Sequence, residues 1–396
     1  MELKRNIVHM DLDSYFVSVE RLFDSRLNGK PILIGGSGDR GVVASCSYEA
    51  RKFGVHSAMP MRTARQLCPE ALIIRGDFEK YSQKSHEVTE IIQEEVPLFE
   101  KSSIDEFYID MTGMDRFFGC FKLSQQIRAR IIKETGLPIS LGLSGNKTVS
   151  KVATGEAKPN NAKQILQGEE KPFLAPLSVR KIPMIGEKTS QTLYNMGVKK
   201  VFTLQQMPAE LLQATFGKNG TMIWEKANGI DFSPVTPYSE AKSISTENTF
   251  EQDTIDVRML EATLVAMTEQ LTSKLRQNSQ LSACVSVKIR YSDFDTHTSQ
   301  HRIPYTSADH TLIPLVKELF RKLYNRRMLI RLIGVRFSSL VYGNYQIKLF
   351  EDTQEQINLY QALDKINGKF GEKSICRAVG MGVGRRRFNP FNGVVT

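Results

Sequence analysis

The chain has 396 residues, with 53 Lys+Arg against 43 Asp+Glu, five Cys and one Trp. At about 150 residues per domain that is two to four domains, and 41% hydrophobic with 24% charged residues excludes collagen-like, coiled-coil and wholly disordered chains. No apolar run approaches the ~18 residues that span a membrane, residues 1–5 lack the apolar stretch of a signal peptide, and Cys46, Cys68, Cys120, Cys284 and Cys376 show no metal or redox spacing; with a formal charge of +10, a reducing cytoplasm and a polyanionic partner are expected.

In chain order, residues 7–10 read as a buried strand, followed by a helix through Tyr15, Val19 and Leu22. Further strands are predicted at 31–35, 42–46, 72–75, 107–111 and 139–143. Helices are predicted over 81–95, 124–134 and 147–156, with apolar residues at three-to-four spacing. Strands interspersed with helices indicate a mixed α/β sheet domain. From about Pro172 the texture changes to short helices punctuated by Pro183, Gly186, Gly197, Pro208, Gly217 and Gly229, a small all-α region. Residues 230–241, with two prolines, two serines and no periodicity, read as a linker. Next comes strand 243–250, then a helix carrying Leu260, Leu264, Met267, Leu271 and Leu275. Strand 283–291 alternates Val285, Val287 and Ile289, and Ser292-Asp293 turns it into strand 296–304. A second helix carries Leu312, Val316, Leu319 and Leu323, and strand 333–341 closes the set. The order βαββαβ is the ferredoxin-like split βαβ signature. After Tyr345 a tail holds one amphipathic helix candidate (Ile357, Tyr360, Leu363, Ile366, Phe370) and a Gly/Arg-rich stretch over 380–387.

Four local clusters bear on chemistry. Met10-Asp11-Leu12-Asp13 sets two carboxylates at the carboxyl end of an apolar strand, and residues 103–110 (SIDEFYID) begin another strand with an acidic cluster. Hard oxygen ligands at strand ends are what Mg²⁺ needs, and two such ions about 4 Å apart serve phosphoryl displacement. Each cluster alone equally fits a solvated turn. Adjacent Asp105 and Glu106 would face opposite sides of a regular strand, so joint ligation requires a bend. Tyr48, Arg51 and Lys52 share one helix face and suit a polyphosphate, or a solvated basic face. A basic helix from Lys147 runs into Lys158-Pro159-Asn160, where Lys158 either reaches a phosphate or caps helix carbonyls.

Here the residues carry a family resemblance. Met10-Asp11-Leu12-Asp13-Ser14-Tyr15-Phe16 resembles the first motif of the Y-family translesion DNA polymerases, and Ser103-Ile104-Asp105-Glu106 with Tyr108-Ile109-Asp110 resembles the second. Residues 48–55 (YEARKFGV) and Asn146-Lys147…Lys158-Pro159-Asn160 are similar to two more. The resemblance is nearest to the bacterial branch and covers residue 7 to about 350.

The resemblance implies an α+β right-hand polymerase. Palm would comprise 1–19 and 78–170, small fingers 20–77, an all-α helix-hairpin-helix thumb 171–230, a linker 231–241, and a βαββαβ little finger 242–343, leaving 344–396 as clamp-binding peptide and tail. Asp11, Asp105 and Glu106, with the Leu12 carbonyl, would ligate two Mg²⁺. Tyr48, Arg51 and Lys158 would hold the triphosphate, with Ser45 among the nucleotide-binding residues. Phe16 would be the steric gate against a ribose 2′-OH, although its spacing alone reads as a buried helix aromatic. Val42 and Ala44 would line the nascent base pair, and Asp13 and Asp110 would be structural or outer-shell. Gly186, Lys188 and Thr189 belong to a hairpin whose backbone amides would contact DNA phosphates.

Gln346-Ile347-Lys348-Leu349-Phe350 resembles the peptide by which bacterial polymerases bind the sliding clamp, or else is an ordinary edge strand. Arg321, Lys322, Arg326, Arg327, Arg331 and Arg336 offer salt-dependent, sequence-neutral phosphate contacts, with Glu318 the only acid nearby in sequence. The expectation is a monomeric, error-prone enzyme that extends primer-template DNA with dNTPs without a proofreading exonuclease. The competing expectation is a non-catalytic DNA- and clamp-binding recruitment factor on the same fold.

Overall fold

The computed structural model describes residues 4–36, 38, 40–114, 119–237, 240–343, 353–371 and 374–380. The chain divides into two compact units, Met1–Ser239 and Glu240–Thr396, parting within the predicted linker. The strands are β1 (Ile7–Leu12), β2 (Ile32–Gly35), β3 (Val43–Cys46), β4 (Leu72–Ile74), β5 (Phe99–Lys101), β6 (Glu106–Asp110), β7 (Ile139–Ser144) and β8 (Ala162–Gln164) in the first unit. The second holds β9 (Ser243–Thr254), β10 (Gln280–Tyr291), β11 (Thr296–Thr306) and β12 (Ile330–Tyr342).

A five-stranded sheet, order β5-β6-β1-β7-β8, organises the first unit, with β1 antiparallel to both β6 and β7. Alternation along each strand divides the sheet's residues between its faces. Val8, Met10, Leu12, Phe107, Ile109, Ile139, Leu141 and Leu143 enter one core with residues of helices Phe78–Glu95 and Cys120–Thr135. His9, Asp11, Glu106, Tyr108 and Ser140 are thereby left to the other face, where helix Lys147–Ala157 packs. Gly142 permits that close approach, because a Cβ there would lie 2.3 Å from the Ser150 carbonyl oxygen and 2.5 Å from the Thr154 nitrogen. A smaller sheet, β3-β2-β4, builds a second core from Leu33, Val43, Cys46, Ala50, Met61 and Ala64.

The all-α region comprises helices Glu170–Leu174, Glu187–Asn195, Val201–Gln206, Ala209–Phe216 and Lys218–Ala227. Its core shares Val149, Val152 and Ala153 of helix Lys147–Ala157, so it is packed against the main sheet's own helix. The predicted linker is held down over its first six residues. Arg5 donates to the carbonyls of Asp231 (3.2 Å) and Ser233 (2.7 Å), Lys147 to that of Pro234 (3.4 Å), and the Thr236 amide to Glu100 (2.8 Å). Asp231 Oδ2 accepts from the amide (3.1 Å) and hydroxyl (2.6 Å) of Thr148 and from Lys226 (3.3 Å). A polar strap of this kind leaves no apolar periodicity, so the pattern reads as linker.

In the second unit the sheet order is β11-β10-β12-β9, all antiparallel. β9 and β10 flank β12, while β11 and β12 flank β10, giving the expected βαββαβ as two split βαβ units. Helices Val257–Gln277 and Asp309–Leu323 bury Leu260, Leu264, Leu312 and Val316 against Val285, Val287, Ile289, Val335 and Phe337. β9 runs four residues beyond its predicted end, through a register irregularity after Thr249 to Thr254, which pairs with Ile330. The tail helix forms as Thr353–Phe370 and docks on this unit. Ile357 and Tyr360 are buried, whereas Phe370 is exposed. Arg276 grips Asp364 with two bonds (2.6 and 2.9 Å), and Tyr360 Oη accepts from the His310 amide (3.1 Å). No helix among the described residues is long and apolar enough to cross a membrane.

The strap has a pH signature. Burial alone would raise the Asp231 carboxyl, but the Ser233 and Thr148 hydroxyls and the Lys226 ammonium overcome it and hold it at about 2. A depressed carboxyl stabilises above its unfolded value and loses that contribution as pH falls through the folded value, here roughly 2 kcal/mol between about pH 4 and 2. Urea unfolding from pH 6 to 2 should therefore show a steeper acid loss in the wild type than in Asp231→Asn; parallel curves would contradict the strap.

Candidate active site

Asp11 stands directly opposite Glu106 in the β1–β6 pair and opposite Ser140 in β7. Asp105 precedes β6 in a bend, so the alternation that would separate it from Glu106 does not apply. The bend is pinned: the Leu12 amide donates to the Asp105 carbonyl (3.0 Å), the Glu106 amide to Ser103 Oγ (3.1 Å), and the Ser103 hydroxyl to Asp105 Oδ1 (2.6 Å). Leu12 buries its side chain in the core, leaving its backbone carbonyl as the group able to ligate.

The three acids feel one another. Burial pushes the Asp11 carboxyl up to about 7, with Asp105 and Glu106 adding to the rise and Lys158 opposing it. Asp105 is likewise raised, by burial and then by Glu106. Burial would also raise Glu106, but His9 and Lys151 hold it below the usual carboxylate range. Lys158 donates to Asp11 Oδ1, and Lys151 to Glu106 Oε2 at 2.5 Å. Burial keeps the His9 imidazole low; its Nδ1 is 2.9 Å from Thr154 Oγ1 and its Nε2 3.8 Å from Glu106 Oε2. Among the described residues no three His, Cys, Asp or Glu side chains converge as a ready metal cluster. Two lysines sit on two of the acids instead. The donor set still fits a hard divalent ion: carboxylate oxygens, largely desolvated, whose mutual repulsion a cation relieves.

Beyond β1 the chain turns at Ser14, in the left-handed region at φ 43°, directly into helix Tyr15–Phe23. The turn buries Asp13, which collects donors from three segments: Tyr48 Oη (3.3 Å), Ser140 Oγ (3.1 and 2.9 Å to its two oxygens) and the Asn160 amide (2.6 Å). Phe16 is half-buried and stacked on Tyr81 with centroids 4.5 Å apart. Tyr48 and Arg51 bound a single-turn helix after β3, with the Arg51 guanidinium 4.9 Å over the Tyr48 ring. Lys52 falls past that helix and is exposed, so the predicted three-residue face reduces to two. Lys158 points to Asp11 rather than to helix carbonyls. Val42 is exposed and Ala44 half-buried, while Val43 between them and Ser45 beyond are buried. Asp110 accepts from the Thr112 amide (2.9 Å), a turn contact.

The predicted basic series does not form one patch. Arg321 pairs with Glu261, Lys322 with Glu318 and Arg326 with Asp295, so acids distant in sequence neutralise what Glu318 alone would not. Arg327 is exposed, and Arg331 stacks over Phe294 at 4.6 Å. Arg336 lies exposed on the sheet face opposite the helices, in register with Ser286 and Ser245. Lys288, Arg290 and Arg302 share that face by register, and sequence reading passed over them. The signal was present in the alternation of Ser286, Lys288 and Arg290 between apolar positions. Gly186 caps helix Glu187–Asn195, in whose first turn Lys188 is exposed and Thr189 half-buried. The arm before that hairpin is a single 3₁₀ turn, Val179–Lys181. The predicted clamp residues Gln346, Ile347, Leu349 and Phe350 lie outside the described residues.

Comparison with known proteins covers both units. The impB/mucB/samB family matches residues 10–155 and its C-terminal domain residues 241–359, and the thumb domain of DNA polymerase-iota matches residues 180–231. A DNA polymerase IV of Dehalococcoides mccartyi (strain CBDB1) is 38% identical over 94% of this chain and 96% of its own length. The DNA polymerase IV of Treponema denticola is 36% identical over 85% of each chain. Among solved structures, a Y-family DNA polymerase chimera shares the fold, with a TM-score of 0.76 at 23% identity over 85% of this chain and all of that one.

Proposed function

The chain belongs to the Y family of DNA polymerases, and from that membership we propose error-prone, template-directed synthesis across damaged bases by two-metal nucleotidyl transfer. As a DNA-directed DNA polymerase it takes DNA and dNTPs as substrates. The observation that carries the finer reading is the meeting of Asp11, the Asp105 bend and Glu106 at one end of β1, with Lys158 against them and Tyr48 tied in through Asp13.

Asp11, Asp105 and Glu106, with the Leu12 carbonyl, would hold two Mg²⁺. When bound, such ions favour the ionised primer 3′-oxygen and offset charge developing on the α-phosphate. The 3′-oxygen forms the new bond to the α-phosphorus as the bond to pyrophosphate breaks. Tyr48, Arg51 and Lys158 orient the triphosphate, with Ser45 beneath them. Phe16, held by its stack on Tyr81, meets the sugar and excludes a 2′-hydroxyl. Val42 and Ala44 are small and leave room beside a damaged templating base. DNA phosphates are taken by the open face of the second unit's sheet (Lys288, Arg290, Arg302, Arg336) and by the hairpin at Gly186, Lys188 and Thr189, without base readout. Arg326, Arg327 and Arg331 border the same unit. Gln346–Phe350 is the clamp-binding peptide, the enzyme is a monomer, and its free cysteines suit a reducing cytoplasm.

Three outcomes test this reading. Asp105→Ala should lower primer extension by at least about 10²-fold while leaving DNA affinity intact, whereas Arg302→Ala with Arg336→Ala should weaken binding and flatten its salt dependence; near-normal extension by Asp105→Ala would sink the metal assignment. Phe16→Ala should raise ribonucleotide incorporation in single-turnover assays, and unchanged dNTP/rNTP discrimination would refute the gate. Leu349→Ala with Phe350→Ala should abolish pull-down by a bacterial sliding clamp and spare distributive synthesis; wild-type clamp binding would remove the peptide from the scheme.

A further inference from the structure

We propose that Asp13 is a positioning residue for triphosphate binding, a buried carboxylate that ties Tyr48 and the turn following Lys158 to the main sheet. The inference rests on the reading of Tyr48 and Lys158 as triphosphate residues and adds the group that sets their geometry. Asp13 is 2% exposed, and an ionised carboxylate only accepts hydrogen bonds. Its partners come from segments 35 to 147 residues away: the Tyr48 phenol, the Ser140 hydroxyl and the Asn160 amide. The Lys158 ammonium stands 3.6 Å from the same oxygen that receives Tyr48. Ser140 belongs to the sheet. The remaining partners are two proposed phosphate-holding side chains and the backbone two residues past one of them.

The distances rank these contacts. The Asn160 amide bond, at 2.6 Å, is short and charge-assisted, and it fixes the turn that carries Lys158. The Tyr48 bond, at 3.3 Å, is longer than the ~2.7–2.8 Å usual for O–H···O, so the phenol can redirect its hydrogen bond to a phosphate oxygen at little cost while keeping its proton. Lys158 lies between Asp11 and Asp13. When Asp11 is engaged elsewhere, Asp13 still keeps the ammonium at the site. Asp13 therefore holds the triphosphate side chains near their working positions before substrate arrives, and lowers the ordering cost of binding.

Asp13→Asn tests this. It keeps the shape but turns one acceptor into an NH₂, which meets a group that can only donate whether it faces the Asn160 amide or the Lys158 ammonium. Single-nucleotide primer extension should show KM for dNTP raised about tenfold or more and kcat changed far less, with DNA affinity unaltered. Placed in a Tyr48→Phe/Lys158→Ala background, Asp13→Asn should add less than about twofold, the non-additivity of groups acting as one unit. Ser140→Ala, which removes the hydroxyl shared between the two carboxylate oxygens and keeps the carboxylate, should give a smaller rise in KM and serves if Asp13→Asn fails to fold. An unchanged KM with a lowered Tm, or a full effect in the double background, would overturn the proposal. Asp105→Ala run in parallel separates this failure from failure of the polymerase reading, which requires that variant to be inactive.

Discussion

Three half-buried carboxylates lie at one end of β1, near enough to repel one another. Asp11 and Glu106 face each other across a strand pair, and the bend at Ser103–Asp105 brings in the third. Such crowding needs cations, and the protein provides two from a single helix and its end, Lys151 and Lys158. That helix can lie against the sheet because position 142 has no side chain. The same packing buries Thr154 on His9, beneath Glu106. One steric concession in β7 thus sets the electrostatics of the site.

The helix that supplies those lysines also joins the first unit together. Val149, Val152 and Ala153 enter the all-α core, while Asn146 at its start donates to Gly229 O (2.8 Å). Asp231 clips Thr148, so both sides of the helix are committed before any substrate binds. At its far end, Asn160 and Asp13 fasten the turn bearing Lys158. Site residues that lie in bends and turns, Asp105 and Lys158, are accordingly pinned by hydrogen bonds to the sheet and its helix, as positioning-dominated chemistry demands.

In the second unit, amphipathic strands separate two tasks. Inward Val285, Val287 and Ile289 make the core, and outward Lys288, Arg290, Arg302 and Arg336 charge the open face. Arginines near the helix layer find acids, and on the open face Lys288 does too, pairing with Glu247 at 2.8 Å, so the positive charge there rests on Arg290, Arg302 and Arg336. The tail helix adds a layer secured by Arg276, a guanidinium bound to Asp364 and Asp309 and stacked at 4.9 Å over Tyr360. Polar pairs of this geometry join buried Ile357 and Tyr360 in fixing which side of that helix faces the unit.

Much of this was legible in the sequence, because strand and helix periodicities are local properties of the chain. They predicted the βαββαβ order, the buried strand at residues 7–10 and the helical region after Pro172, and the four clusters supplied the residues proposed for the site. β9 ran longer than its alternation because the strand passes an irregularity after Thr249 and pairs again at Thr254, and an irregularity leaves no period to read. What the chain alone left open was every relation between segments far apart in number. Whether Asp105 and Glu106 converge depended on a bend pinned by Ser103. Whether Lys158 caps its helix or reaches an acid depended on the sheet beneath it. The linker's strap, the neutralised arginines and the Asp13 hub joining residues 13, 48, 140 and 160 arise only when the tertiary structure closes, since hydrogen bonds and ion pairs between distant residues leave no period to read.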